Sequence, residues 1–139
     1  MLKRKQSIIV FAVLIVILVL ELLPYGIVLE FGHLSPDLSI SYYEQHFSYF
    51  DLIVYGYGNV GALFTAILTC VLLVLSIINL LVDNDKIKTT IKIVSLIALV
   101  ASLAPLIVNS YSVIGGVISL LLLVIVVISM KNDVNDSES

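Results

Sequence analysis

Apolar residues fill four long segments of the chain, and short polar stretches separate them. The four segments are residues 7–29, 58–82, 89–108 and 111–130. A helix needs about 20 apolar residues to cross the roughly 30 Å hydrocarbon layer of a bilayer. The segments contain two charges, Glu21 and Lys92, and we find no polar stripe of helical period in them. Because helices that are apolar all round lie in lipid or in a large core, the pattern predicts an all-α, four-helix transmembrane bundle.

Composition supports this interpretation. The chain has 139 residues, of which 60% are hydrophobic and 12% charged, whereas soluble domains are about one quarter charged. A chain of this size has no interior that could hide four apolar helices, so lipid must cover them. We expect one domain over residues 1–130 and a polar, disordered tail over residues 131–139. The net charge of −3 leaves no basic face for nucleic acid.

The basic residues predict the orientation, because Lys and Arg favour the cytoplasmic side of short loops. The seven are Lys3, Arg4, Lys5, Lys86, Lys88, Lys92 and Lys131. With four spans, the amino terminus, the loop after the second span and the tail share one side, and all seven lie there. The long loop over residues 30–57 has none. We therefore expect a cell-membrane protein with both termini in the cytoplasm.

The first span has the basic start and apolar run of a signal peptide. Cleavage would require small residues near the end of the run. Here the run ends in Leu20-Glu21-Leu22-Leu23-Pro24, and the next small residue is Gly26. We expect the span to be retained.

Ten of the twelve aromatic residues lie in the long loop or next to the outer ends of the spans; only Phe11 and Phe64 lie within spans. Aromatic rings favour the headgroup layer. Ser41-Tyr42-Tyr43-Glu44 has the sequence of a capping box, which predicts a short interfacial helix from about Tyr42 to Ser48. We favour an anchoring role in the lipid interface for it, and the alternative is a lid or a surface for docking a partner.

Small residues allow membrane helices to approach closely. In the second span small residues recur every four positions, with Thr65 and Thr69 beside them. The predicted helix-packing residues are Gly58, Ala62 and Ala66 in the second span, followed by Cys70, then Ser102 in the third and Gly116 in the fourth. Packing within one bundle is the simpler interpretation, and a seam between two copies is the alternative.

Glu21 is the candidate functional residue within the membrane, because ionisable groups there are rare and often functional. If the first helix continues to Leu29, Glu21 lies in the hydrocarbon; if Pro24 ends the helix, it lies at the outer interface. Inserting an acidic residue at the centre of a membrane helix costs about 3 kcal/mol, whereas each Leu or Ile favours insertion by roughly 0.5 kcal/mol. The apolar run Ile8–Leu20 can therefore offset the insertion cost of Glu21. Proton coupling or ligand binding is one role for Glu21, and an interfacial or hydrogen-bonded position without such a function is the favoured alternative. Expected hydroxyl partners are Ser102, Ser112 or Thr65.

Other chemistry has little support in the sequence. His33 and His46 share the long loop with Asp37, Glu44 and Asp51, but their spacing matches no zinc motif. Cys70 has no basic neighbour to activate it. No nucleophile elbow or phosphate loop occurs. We expect no catalytic residue, cofactor or metal.

Two stretches resemble small uncharacterised four-span membrane proteins of Gram-positive bacteria. They are Leu22-Leu23-Pro24-Tyr25-Gly26, and the run from Phe47-Ser48-Tyr49-Phe50-Asp51 through Tyr55-Gly56-Tyr57-Gly58-Asn59 to Thr65-Ala66-Ile67-Leu68-Thr69-Cys70. The resemblance implies no function. Small multidrug transporters also have four spans and a glutamate in the first, but this chain has a long outer loop, no Trp and no matching motif around Glu21.

The sequence therefore predicts a non-enzymatic membrane protein that interacts with the bilayer, and with itself or a larger membrane partner. The alternative is a small oligomeric transporter or channel subunit that uses Glu21. No ligand or partner can be named from these residues.

Overall fold

Five helices and a two-stranded sheet make up the computed structural model, which describes residues 2–51 and 60–137. The elements are α1 (Leu2–Leu22), β1 (Ile27–Leu34), β2 (Ile40–Phe47), α2 (Val60–Val82), α3 (Asp85–Ser102), α4 (Ala104–Ile107) and α5 (Val113–Ser137). Four helical segments are long and apolar enough to cross a membrane: Arg4–Leu22, Val60–Val82, Asp85–Ile107 and Val113–Lys131. The protein is thus mostly helical, with four candidate spans, but it is not purely all-α.

Two helix ends differ from the sequence-based expectation. The first helix ends at Leu22 and not at residue 29, because Pro24 cannot donate a helical hydrogen bond and disfavours helix at the preceding residue. The last helix continues to Ser137, so the tail is helical as far as that residue.

The four long helices form a closed antiparallel ring. α1 packs against α2 and α5, and α3 packs against the same two helices. The two residues between α2 and α3 leave room for only a tight reversal, as in up-and-down bundles. We call the end with β1 and β2 the hairpin end, and the end with both chain termini the terminal end.

Each long helix turns a regular set of residues toward the bundle axis. In α2 these are Ala62, Thr65, Ala66, Thr69, Leu72, Ser76 and Asn79. From Thr65 through Thr69, Leu72 and Ser76 to Asn79 the steps alternate between four and three residues and average 3.5, the spacing of left-handed helix packing. Val10, Leu14, Ile17 and Glu21 of α1 follow the same spacing. Several of these positions are polar, so our reading that the runs lack a polar stripe is wrong.

The long loop forms a β-hairpin and not the interfacial helix predicted from the capping box. β1 and β2 are antiparallel, with Ile27 opposite Phe47 at the foot and Leu34 opposite Ile40 at the tip. The second strand, ISYYEQHF, is rich in aromatic residues, which favour strands, and Phe31 stacks on the directly opposite Tyr43 at 5.7 Å. Cross-strand pairing therefore outweighs the local capping signal.

A tight turn joins the strands through Pro36 and Asp37. The Ser35 N–H donates to the Ser39 carbonyl at 2.9 Å, and Leu38 takes a positive φ of 64°. The Ser39 hydroxyl donates to Asp37 Oδ1 at 2.8 Å, and this hydrogen bond holds the pKa of Asp37 below its usual value.

The foot of the hairpin is fixed to the bundle. Ile27 is 1% exposed and bridges to Tyr111, while the Val28 N–H donates to the Ser110 carbonyl at 3.2 Å. A Cβ on Gly26 would come within 2.6 Å of the Tyr49 ring. Glycine is therefore required where the chain passes from α1 into the sheet.

Candidate functional site

Glu21 lies in the bundle interior at the hairpin end. It is in the last turn of α1, is 0% exposed, and its Oε1 is 2.8 Å from the Thr69 hydroxyl of α2. The helix does end before Pro24, and Glu21 follows Leu14 and Ile17 on the inward face, so its side chain is buried between the helices at the end of α1. Its hydrogen-bond partner is Thr69 and none of the three hydroxyls expected from the sequence.

The Thr69 hydroxyl has two oxygen neighbours and a single hydrogen. Its Oγ1 lies 2.8 Å from Glu21 Oε1 and 3.1 Å from the Thr65 carbonyl oxygen of its own helix. An ionised carboxylate and a carbonyl only accept hydrogen bonds, so Thr69 could serve one of them. A protonated Glu21 satisfies both contacts, because it donates to Thr69 while Thr69 donates to Thr65.

Tyr49 connects Glu21 to the end of the hairpin. Its N–H donates to the Glu21 carbonyl at 3.0 Å, and the residue is 0% exposed. Burial raises the pKa of the Tyr49 phenol, so the ring is neutral. Among the described residues, neither the Tyr49 hydroxyl nor Glu21 Oε2 has a hydrogen-bond partner. Two unsatisfied buried oxygens therefore lie at this end of the bundle.

Serine hydroxyls join the remaining helices at the same end. Ser112 donates to the Gly26 carbonyl at 2.6 Å and accepts from the Gly115 N–H at 2.9 Å. The Ser102 and Ser119 oxygens are 2.9 Å apart, linking α3 to α5. Thus direct hydrogen bonds connect α3 to α5, and the segment after α1 to the residue that precedes α5, at the hairpin end.

The predicted packing residues occupy different environments. Ala62, Ala66 and Ser102 are 0% exposed, whereas Gly116 is half-buried, and a Cβ on it would lie 3.5 Å from the Tyr111 ring. Cys70 is exposed, so it does not continue the face of Ala62 and Ala66 as the four-residue spacing suggested. Gly58 lies outside the described residues.

Two other glycines, Gly61 and Gly115, also lie in close contact with neighbouring segments. A Cβ on Gly61 would overlap the Cβ of Ala104, and a Cβ on Gly115 would lie 3.2 Å from the Gly26 carbonyl oxygen. Each of these glycines is adjacent to a residue, Ala62 or Gly116, that the sequence analysis selected.

A cleft of about 550 Å³ lies between one face of the hairpin and the start of α5. Glu30 and Glu44 are directly opposite each other on this face and both line the cleft. Tyr25, His46 and Tyr111 line it as well, and the Tyr25 ring meets His46 edge-on with centroids 5.7 Å apart. The cleft thus combines two carboxylates with aromatic walls, an arrangement that suits a cation.

The two histidines do not come together. His33 is opposite Ser41 and His46 is opposite Val28, so strand alternation places them on opposite faces of the hairpin. Across residues 2–51 and 60–137, no three His, Cys, Asp or Glu residues are grouped to hold a metal ion.

The sequence analysis missed Thr69 and Tyr49 as partners of Glu21. The signal for Thr69 was the repeat of polar residues at 65, 69, 76 and 79, which marks the inward face of α2. Tyr49 carried no comparable signal, because its position depends on the hairpin.

Comparison with known proteins gives no relative from which a function could be carried over: no protein-family model, curated protein or solved structure matches this chain.

Proposed function

We propose that this protein is a non-enzymatic component of the cell membrane that binds a basic segment of a partner protein at its outer face. The orientation is inferred from the basic residues. All seven belong to sequence segments at the terminal end of the bundle, and the positive-inside rule assigns that end to the cytoplasm. The hairpin and its cleft then face outward.

The observation that carries the proposal is the Glu30–Glu44 pair in the cleft. Like charges directly opposite each other on neighbouring strands destabilise a hairpin, and a cation between them removes that repulsion. Residues 6–85 contain no Lys or Arg, so the hairpin supplies no such cation itself. The aromatic rings of Tyr25 and Tyr111 can add cation–π attraction.

The remaining acidic residues favour a basic macromolecule over a single small cation. Asp37 lies at the tip of the hairpin and Asp51 follows its second strand, so negative charge extends along the whole outer element. Charge complementarity of this kind mainly speeds association and selects the partner. Lys or Arg side chains of an extended segment fit the cleft, whose volume is in the range of about 300–1,000 Å³ typical of ligand pockets.

Binding of a labelled pentaarginine peptide tests the proposal. The full-length protein is placed in phosphatidylcholine nanodiscs, whose headgroups carry no net charge, and affinity is measured by fluorescence anisotropy. Replacing both carboxylates, Glu30→Gln and Glu44→Gln, should weaken binding about tenfold or more. Asp37→Asn removes a carboxylate at the tip that adds long-range attraction but does not line the cleft, so it should change affinity less than threefold, within about 0.7 kcal/mol.

Two results would refute it. One is equal binding by the double variant and the unmodified protein; the other is equal binding by empty nanodiscs. A photo-crosslinker introduced at Tyr42 in intact cells provides an independent test. The crosslinked partner must be attached through a basic segment, and the crosslink must disappear in the double variant.

A second candidate function is a proton-coupled transporter or channel subunit that uses Glu21. It is favoured by the burial of this carboxyl in the bundle interior, with Oε2 unpartnered among the described residues. Against it, the inward-facing residues between Glu21 and the terminal end of α1 are Ile17, Leu14 and Val10, which relay no proton. Proton flux into liposomes that is lost in Glu21→Gln, and kept in Glu30→Gln, would support transport over the interaction role.

A further inference from the structure

Asn79 is a second buried polar group, at the terminal end of the bundle. It is 5% exposed, and its Nδ2 donates to the Ser7 hydroxyl of α1 at 3.1 Å. Its Oδ1 has no hydrogen-bond partner among the described residues. Buried amide oxygens are nearly always hydrogen-bonded in native proteins, to protein or to ordered water. Asn79 Oδ1 therefore requires a hydrogen-bond donor other than the protein groups of residues 2–51 and 60–137.

A small cavity of about 30 Å³ adjoins Asn79. All four long helices contribute to its wall. Besides Asn79, the lining residues are Ser7 and Val10 of α1, Ser76 of α2, Lys88 and Ile91 of α3, and Ser129 of α5. Polar and apolar atoms share the wall about equally, whereas dry cavities in proteins are lined by apolar side chains.

The size of the cavity limits what it can hold. A water molecule needs about 10–15 Å³ of such space, so one or two waters fit and an organic molecule does not. The Lys88 side chain in the wall disfavours a metal cation. Its Nζ is held by Asp83 at 2.7 Å and Asp85 at 3.1 Å, two carboxylates whose charge exceeds that of the ammonium group, so the cavity offers no site for an anion.

We propose that this partly open cavity is a water-binding site that holds one or two water molecules, one of which donates a hydrogen bond to Asn79 Oδ1. The site joins α1, α2, α3 and α5 through water at the terminal end. At the hairpin end, in contrast, the helices are joined by direct contacts, Glu21 with Thr69 and Ser102 with Ser119. The inference is independent of the basic partner proposed for the outer cleft.

Hydroxyl-radical footprinting of the full-length protein in nanodiscs tests this site. Radicals generated by X-ray pulses form from bound water, so buried side chains beside that water are oxidised. Val10 and Ile91 line the cavity and are 6% and 5% exposed, and Leu14 and Ile17, at 0% exposed, lie further along the same interior. We expect oxidation of Val10 and Ile91 to exceed that of Leu14 and Ile17 several-fold.

Two variants test whether oxidation of Val10 and Ile91 comes from bound water or from their slight exposure to solvent. Asn79→Leu removes the acceptor and fills the cavity, so oxidation of Val10 and Ile91 should fall to the level of Leu14. Ser95→Ala is the matched control, since Ser95 is buried in the same interior but its hydroxyl bonds to the Lys92 carbonyl of its own helix at 2.9 Å. It should leave the pattern unchanged.

Three outcomes would overturn the proposal. The first is oxidation of Val10 and Ile91 no faster than that of Leu14 in the unmodified protein, a comparison that needs no variant. The second is an unchanged pattern in a folded Asn79→Leu protein. The third is oxidation that changes when choline replaces sodium in the buffer, which would identify the occupant as a cation.

Discussion

The Thr69 hydroxyl of α2 lies 2.8 Å from Glu21 Oε1 of α1, inside the bundle. The carbonyl of the same glutamate accepts from the Tyr49 N–H at 3.0 Å. Glu21 therefore joins α1 to α2 through its side chain and to the segment after the hairpin through its backbone. Glu21, an acidic residue within an apolar run, thus connects three parts of the chain.

Replacing Glu21 with Gln and with Ala tests whether its contact with Thr69 is made by a protonated or by an ionised carboxyl group. Gln can donate to Thr69 as a protonated carboxyl does, so Glu21→Gln should keep the melting temperature in detergent nearly unchanged. Glu21→Ala leaves a cavity and removes the hydrogen bond between α1 and Thr69, which should cost about 2–4 kcal/mol. Thermal unfolding followed by circular dichroism measures both.

The matched controls are Glu30→Gln and Glu30→Ala on the exposed hairpin, both of which should have small effects. If Glu21→Gln is as damaging as Glu21→Ala while the controls are silent, the contact needs an ionised carboxylate and the hydrogen-bond pattern derived above is wrong.

Gly61 and Gly116 should respond oppositely to alanine. A Cβ on Gly61 overlaps Ala104 Cβ, so Gly61→Ala must push α2 away from α4, and overpacking of this kind costs about 1–3 kcal/mol. A Cβ on Gly116 meets only the Tyr111 ring at an ordinary 3.5 Å, and alanine favours helix by up to about 1 kcal/mol over glycine. Chemical or thermal unfolding in detergent would show loss in the first and no loss in the second; equal effects would contradict the observed packing.

Hydropathy was sufficient to predict the four spans, because the length of an apolar run decides whether a helix can cross the bilayer. It was not sufficient to predict which face of each helix points inward. In α2 the inward positions include Thr65, Thr69, Ser76 and Asn79, single polar residues four, seven and three positions apart, and the Leu and Ile around them hide this spacing. Small-residue spacing alone selected Cys70, one residue away from the true interior position.

The hairpin was missed for a different physical reason. A capping box is a local signal, worth about one hydrogen bond at a helix start. The alternative, pairing of Ile40–Phe47 with Ile27–Leu34, depends on contacts between residues up to 20 positions apart along the chain. The cleft with Glu30 and Glu44 follows from that pairing, so no local reading of the sequence could reveal it.

The Tyr49 hydroxyl offers a test of the packing at the hairpin end. It is buried and has no partner among the described residues, so Tyr49→Phe should be neutral or stabilising, since it removes an unsatisfied polar group. Ser112→Ala, which loses hydrogen bonds to Gly26 and Gly115, should destabilise by about 1–3 kcal/mol. A large loss for Tyr49→Phe in thermal unfolding would mean that the hydroxyl has a partner after all.

Cysteine labelling in intact cells tests the proposed orientation. In a Cys70→Ser background, Ser39→Cys at the hairpin turn should react from outside with an impermeant maleimide. Asp85→Cys, at the start of α3 and equally exposed in the structure, should react only after the cells are permeabilised. Labelling of Asp85→Cys in intact cells would reverse the orientation and place the acidic cleft in the cytoplasm.

The central structural claim is that each helix turns its polar residues inward, and the single native cysteine tests it most directly. Cys70 is exposed on the outside of α2, whereas its neighbour Thr69 is 0% exposed. A nitroxide on Cys70 of the protein in bilayers should be accessible to oxygen, which dissolves in lipid, and inaccessible to a water-soluble nickel complex. A nitroxide on Thr69→Cys, in a Cys70→Ser background, should be immobilised and shielded from both reagents. Shielding at Cys70 together with oxygen access at Thr69→Cys would show that α2 is rotated, and would remove the Glu21–Thr69 contact and the Asn79 cavity together.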